Sequence, residues 1–257
     1  GALDDATGTV VYDGTIAQTI DEAETFYSLK VDNASGVTLN AIATVGGTLT
    51  LGNGMINSSS TNPLALSSPV TLTGVSSASH VNGAARLVSS STTEQLLPVG
   101  DGTNYRPVII EPETSTASTY TAEFKNTPHS SITYDGNGNN ITPCASGLDH
   151  VSGAYWWEIE RSSGGADAHV AMNWESGMGI DVPSEIVLSH YNSTSSQWES
   201  LGGNLTGSNG SGSATASDGR VRSASYVISF SPFTFGSLTG NNPLPIDLLS
   251  FDVQCVN

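Results

Sequence analysis

Charge is scarce in this sequence, and positive charge scarcer still. Charged residues make up 12% of the 257, with 7 Lys and Arg against 24 Asp and Glu, and lysine occurs only at Lys30 and Lys125. A formal net charge of -17 repels phosphate backbones and anionic lipid headgroups, so nucleic acid is not an expected partner. Long apolar runs are missing too. No stretch approaches the ~20 residues that span a bilayer, which argues against membrane insertion. Cysteine is limited to Cys144 and Cys255. In an oxidising exterior the pair forms a disulfide, the reading preferred here. It would close a loop on the order of a hundred residues, worth roughly 4–5 kcal/mol in the chain-entropy picture. In a cytosol the same residues are two buried thiols. A start at Gly1-Ala2-Leu3 shows neither an initiator Met nor a signal peptide, as expected of a mature or excised extracellular piece.

Ser, Thr, Asn and Gly take the place of the missing charge. Hydrophobic residues reach 37%, below the ~45–50% of ordinary domains. The mixture suits strands, tight turns and stacked turns rather than long helices, which draw on Ala, Leu, Glu, Lys and Arg. An all-β fold class is therefore expected. Over residues 9–75 short apolar pairs recur at period two: Leu29 with Val31, Val37 with Leu39, Leu49 with Leu51, Leu64 with Leu66, and Val70 with Leu72. Joined by Gly46-Gly47, Gly52-Asn53-Gly54 and Asn57-Ser58-Ser59-Ser60, such strands fit the rungs of a β-solenoid (β-helix), where each coil buries its few apolar residues against the next. A Greek-key sandwich is the alternative. Around residues 76–107 the texture changes. Asp101-Gly102 is a turn signal there, and Arg86 and Arg106 are candidates for ion pairs holding two halves together.

Longer strands follow, at 107–110, 118–124, 154–161, 168–174, 185–191, 198–201 and 223–230, and seven alternating strands predict a β-sandwich. In the third, Tyr155, Trp157 and Ile159 share the face expected in the core, while Trp156, Glu158 and Glu160 share the other. Residues 202–219, rich in Gly, Ser and Asn, read as a mobile hairpin tip. After Gly240 the run Asn241-Asn242-Pro243-Leu244-Pro245 reads as a stiff, extended linker. Beyond it, Ile246, Leu248, Leu249, Phe251 and Val253 make 246–253 strongly strand-like, after a sandwich already complete. The expected division is a β-solenoid-like domain with its junction at 1–106, a β-sandwich at 107–240, and a linker with tail strand at 241–257.

Several segments carry a resemblance. They are Gly147-Leu148-Asp149-His150-Val151-Ser152, Tyr155-Trp156-Trp157-Glu158-Ile159-Glu160-Arg161, Phe230-Ser231-Pro232-Phe233-Thr234-Phe235-Gly236-Ser237 and Asn242-Pro243-Leu244-Pro245-Ile246-Asp247-Leu248-Leu249-Ser250-Phe251. Upstream, His80-Val81-Asn82-Gly83, Leu97-Pro98-Val99-Gly100-Asp101-Gly102 and Tyr105-Arg106-Pro107 add to them. Together they resemble large Bacteroidota cell-surface proteins exported by type IX secretion, over nearly the whole chain and most firmly after His80. In that family the Pro-Leu-Pro segment leads into a fibronectin-like domain and a C-terminal sorting domain, which this sequence lacks, as expected of a cut piece. The resemblance implies a secreted, adhesin-like cell-surface protein and attaches no catalytic motif to these modules.

Candidate chemistry is thin. Glu158 and Glu160, two apart on one strand face, have the spacing to approach as glycosidase carboxylates do, but a solvated strand face is the plainer reading. Asp149, His150 and Ser152 supply the residue types of a hydrolase triad, yet near-adjacent positions rarely place base and nucleophile correctly, and no G-x-S-x-G elbow surrounds a serine. His80, His129, His150, His169 and His190 show no zinc-ligand spacing. Asp135, Asn137 and Asn139 offer ligand types at alternate positions, as in the first half of a calcium loop, but the closing Glu falls on Ser146 and a plain turn is favoured. Asn33, Asn57, Asn140, Asn192, Asn204 and Asn209 head N-x-S/T sequons. The expectation is a structural or adhesive surface protein with no enzymatic activity and no cofactor beyond that calcium candidate. Its strand-like tail, centred on Ile246, Leu248, Leu249, Phe251 and Val253, would assemble a filament by self-association or pair with other cell-surface proteins. The alternative is a carbohydrate-binding module stacking glycans on exposed Trp156, Trp174 or Trp198.

Overall fold

The structure, a computed structural model, describes residues 7–134, 140–230 and 232–245. Strands hold about half of the described residues, and the only helix among them is one 3-10 turn at Pro183–Glu185. The N-terminal part is a β-solenoid of about 5 turns. Its coils carry β1 (Thr9–Tyr12) with β2 (Gln18–Ile20), then β3 (Glu24–Asp32) with β4 (Val37–Leu39), then β5 (Ala43–Asn53) with β6 (Ile56–Asn57). Next come β7 (Leu64–Ser67) and β8 (Thr71–Thr73) with β9 (Val81–Asn82), and finally β10 (Ala84–Ser89) with β11 (Gln95–Leu97) and β12 (Val99–Gly100).

Parallel pairing stacks the apolar pairs of successive coils into columns. Val10, Leu29, Leu49 and Leu72 form one, Phe26, Val45, Leu66 and Leu87 another, and Val37, Ile56, Val81 and Val99 a third on the opposite wall. Most of these side chains are fully buried, each worth about 1.5–3 kcal/mol of hydrophobic transfer. The corners between coils are tight. Gly54 has a φ of +81°, and a Cβ there would lie 1.8 Å from the carbonyl oxygen of Asn33 in the preceding coil, so only glycine fits.

The β-sandwich adds β13 (Val108–Pro112), β14 (Ser118–Lys125), β15 (His150–Val151), β16 (Trp156–Ser163), β17 (Ala168–Glu175), β18 (Ile186–Asn192), β19 (Gln197–Ser200), β20 (Asn204–Thr206), β21 (Asp218–Arg222) and β22 (Pro232–Ser237). No break separates it from the solenoid. β10 pairs parallel with β7 on one side and antiparallel with β14 on the other. One sheet therefore runs β1-β3-β5-β7-β10-β14-β16-β22-β18-β19, and the second sandwich sheet, β11-β13-β17-β21-β20, begins within the last coil. A single core joins the coils to Tyr120, Trp157, Trp174 and Phe235. Arg106 bridges to Glu175 of β17 at 2.6 Å, and its carbonyl accepts the Trp157 indole N–H. Arg86 forms no ion pair among the described residues.

Three sequence expectations change. The strand expected at 223–230 is instead two, β21 and β22, flanking an irregular passage in which Val227 makes only an isolated bridge to Ala168. β21 starts inside the Gly/Ser-rich stretch because Gly219 lies against the Trp174 ring, leaving no room for a side chain. The supposed hairpin tip thus contributes paired strands. Residues 242–245 do not run free as a linker: Leu244 enters the core and the Pro245 carbonyl accepts the Gly153 amide at 2.8 Å. The tail residues Ile246, Leu248, Leu249, Phe251, Val253 and Cys255, and the calcium candidates Asp135, Asn137 and Asn139, lie outside the described residues.

Candidate functional site

Glu158 and Glu160 do face outward on β16, beside Glu123 and Lys125 of β14, in an open groove that also touches Ser60 and Thr121. Burial, with the charges of Glu160 and Glu123, raises the Glu158 carboxyl above its ordinary value, while Lys125 opposes this. Lys125 already bonds Glu123 at 2.6 Å. Among the described residues no group of three His, Cys, Asp or Glu converges to hold a metal ion. Asp149 and His150 do meet, at 2.8 Å, but the other ring nitrogen of His150 faces the carbonyl of Asn242, and Ser152 is buried with its hydroxyl 3.5 Å from the Ala154 amide. The three residue types are neighbours without becoming a nucleophile, base and orienter.

A second depression, between Tyr105, Arg106, Asn173, Trp174, Glu175 and Asp218, is likewise committed internally. Arg106 holds Glu175, the Asn173 amide donates to the Ser208 carbonyl, and the Trp174 N–H donates to Thr215. Burial pushes the Tyr105 phenol up to about 12. The aromatic platforms are absent where they were expected. Trp174 is 2% and Trp198 0% exposed. Residues 126–134 and 140–153 cross the outer face of β18, β19 and β22 and build a small second core of Leu148, Val151, Val187 and Trp198, with Cys144 packed on it. Trp156 is half-buried with His129 edge-on to its ring at 4.8 Å. Burial and the Asp149 charge raise the Cys144 thiol to about 11, and its expected partner Cys255 is not among the described residues.

The sheet edges differ sharply from one another. The outer side of β19 is bonded by Pro143 and Ala145, β12 is closed by Tyr105 and Arg106, and the end of β11 is stapled when the Gln95 amide bonds both backbone groups of Val70. At the first coil the picture reverses. β1 pairs only with β3, and no described residue lies on its far side. The Ser28 amide donates to Gly8, so strand alternation turns the N–H and C=O groups of Val10 and Tyr12 toward β3 and those of Thr9 and Val11 outward. Nearby, Val11 is 45% and Ile16 74% exposed.

Thr9-Val10-Val11-Tyr12 carries no charge, proline or bulge, the devices that normally blunt an edge strand. A solenoid end in water also ordinarily presents a polar cap. This rim was not singled out from sequence. Its signal was four consecutive β-favouring residues ahead of an Asp13-Gly14 turn. No helix among the described residues is long and apolar enough to cross a membrane. Comparison with protein-family models, with curated proteins and with solved structures finds no match to this chain.

Proposed function

We propose that this chain is a secreted cell-surface structural or adhesive protein, a subunit of an extracellular fibre assembled by β-strand pairing. The observation that supports this reading most is the β1 edge, which no described residue covers, at the end of a sheet that continues unbroken into the sandwich. An edge of unpaired backbone groups is a template for an added strand. Head-to-tail addition that does not close on itself yields a filament. The strong negative charge and the hydroxyl-rich surface suit an assembly outside the cell, and the resemblance to type IX-secreted surface proteins points the same way.

Negative-stain electron microscopy of the purified full chain, beside a variant lacking residues 246–257, tests the proposal. Fibres from the full chain and single particles from the variant are expected. Single particles from both at every concentration overturn the fibre reading, and equally long polymers from both overturn assembly through the tail strand.

A further inference from the structure

We infer that the acceptor for the tail is the β1 edge of a second copy of this chain, with residues 246–253 added beside Thr9–Tyr12. The inference rests on the fibre reading above and names the surface that reading leaves open.

Three features carry it. The donor is launched from a fixed point, because the chain up to Pro245 is held by Leu244 in the core, by the Asn242 side chain bonded to residues 181, 182 and 237, and by the Gly153 amide on the Pro245 carbonyl. The acceptor is available, because Thr9 and Val11 aim their backbone groups away from β3 and no described residue takes them. Reach decides between one chain and two. Gly153 immediately precedes the approach to β16, and six strand spacings separate β16 from β1 along the sheet, about 29 Å at ~4.8 Å each. Eight extended residues span at most ~28 Å. Residues 246–253 are therefore used up in the crossing and cannot lie along β1 of their own chain. A neighbouring copy is not bound by that distance, because it is free to dock with its own Pro245 beside the rim.

Composition fits the pairing. Within 249–253 alternation puts Leu249, Phe251 and Val253 on one face of the added strand with Ser250 and Asp252 on the other, while upstream Asp247 joins the first face and Ile246 and Leu248 the second. That matches β1, where Val10 and Tyr12 lie against the core and Thr9 and Val11 face out. The added strand would continue the column that Val10 begins and cover the exposed rim.

A photo-reactive benzoylphenylalanine at Val11 tests the inference in the full chain, polymerised from an equal mixture of isotopically light and heavy copies and read by mass spectrometry. The expected product is a cross-link from position 11 to a peptide within 246–253, with light-to-heavy products about as abundant as same-label ones. Same-label products alone mean the tail folds back on its own chain, and overturn the inference. Fibres whose position 11 cross-links elsewhere overturn the acceptor edge while leaving the fibre reading standing. An absence of fibres overturns both. Val11→Pro is the companion variant: the lost N–H points away from β3, so the fold survives while the added strand loses a donor and meets the ring. The concentration needed for polymer should rise roughly tenfold or more, and an unchanged value contradicts the assignment.

Discussion

Replacing Asn242 by alanine probes the anchoring on which the launch point depends. Asn242 is fully buried, and its amide is saturated. Its oxygen accepts the Asp181 and Val182 amides at 2.8 and 2.7 Å, and its nitrogen donates to the Val182 carbonyl and the Ser237 hydroxyl at 3.2 and 3.0 Å. Truncation leaves four groups without their partner, each costing about 1–3 kcal/mol when dry. Asp181 is exposed and Val182 only half-buried, so water re-satisfies part of the set, and the lower end applies. A loss of about 3 kcal/mol is expected, a large share of the ~5–15 kcal/mol that holds a typical domain. Asn241→Ala is the control: that side chain is exposed and bonds only Glu185, so its loss should stay within about 0.5 kcal/mol. Urea unfolding followed by tryptophan fluorescence, at low protein concentration, measures both. A loss below about 1 kcal/mol for Asn242→Ala would show that residues 242–245 are a loose linker and refute the reasoning.

Further outcomes follow from individual sites. Gly54→Ala forces a Cβ against the Asn33 carbonyl at a positive φ and should cost at least ~3 kcal/mol or prevent folding, read from thermal melts by circular dichroism. Glu158 has a raised folded pKa, so its protonated form stabilises the fold below the ordinary carboxylate range and that contribution is lost as pH rises through the folded value. Glu158→Gln should accordingly raise the urea midpoint at pH 7 and leave it unchanged near pH 3, and a lowered midpoint at pH 7 contradicts the sign. The rim residues Asp13, Asp21, Glu22 and Glu24 and the tail residues Asp247 and Asp252 are all acidic, so salt should screen their repulsion. Light scattering should show polymerisation strengthening between 20 and 200 mM NaCl, where the Debye length shortens about threefold, whereas weakening points to attractive charge contacts instead.

Much of the fold was legible because solenoid and sandwich strands obey one rule, alternation. Leu29 with Val31 and Leu49 with Leu51 are inward rungs, and Tyr155, Trp157 and Ile159 are all buried. Long-range closure was not legible. Nothing local to Ala84–Ser89 says that its two edges face a parallel and an antiparallel neighbour, which is why a seam between two halves was expected where one sheet runs through. Trp174 and Trp198 sit on strand faces that alternation leaves outward or undecided, and it takes Ile132, Cys144, Leu148 and Val151 folding over the sheet to bury Trp198. The shift from one strand at 223–230 to β21 and β22 turns on Gly219 fitting under an indole 45 positions earlier in the chain. The docking of 242–245 depends on partners at 150–153 and 179–182, contacts that no spacing in Asn241-Asn242-Pro243-Leu244-Pro245 announces. The rim strand, by contrast, shows in four adjacent β-favouring residues, although that no described residue covers its far side is a fact of the fold and not of those four.

Amide hydrogen exchange at Thr9–Tyr12, compared between monomer and assembled fibre, tests the central claim most directly. Val10 and Tyr12 already donate toward β3 and should be protected in both states, whereas Thr9 and Val11 should exchange freely in the monomer and become protected in the fibre. If Thr9 and Val11 exchange as fast in the fibre as in the monomer, β1 is not the edge through which the chains join.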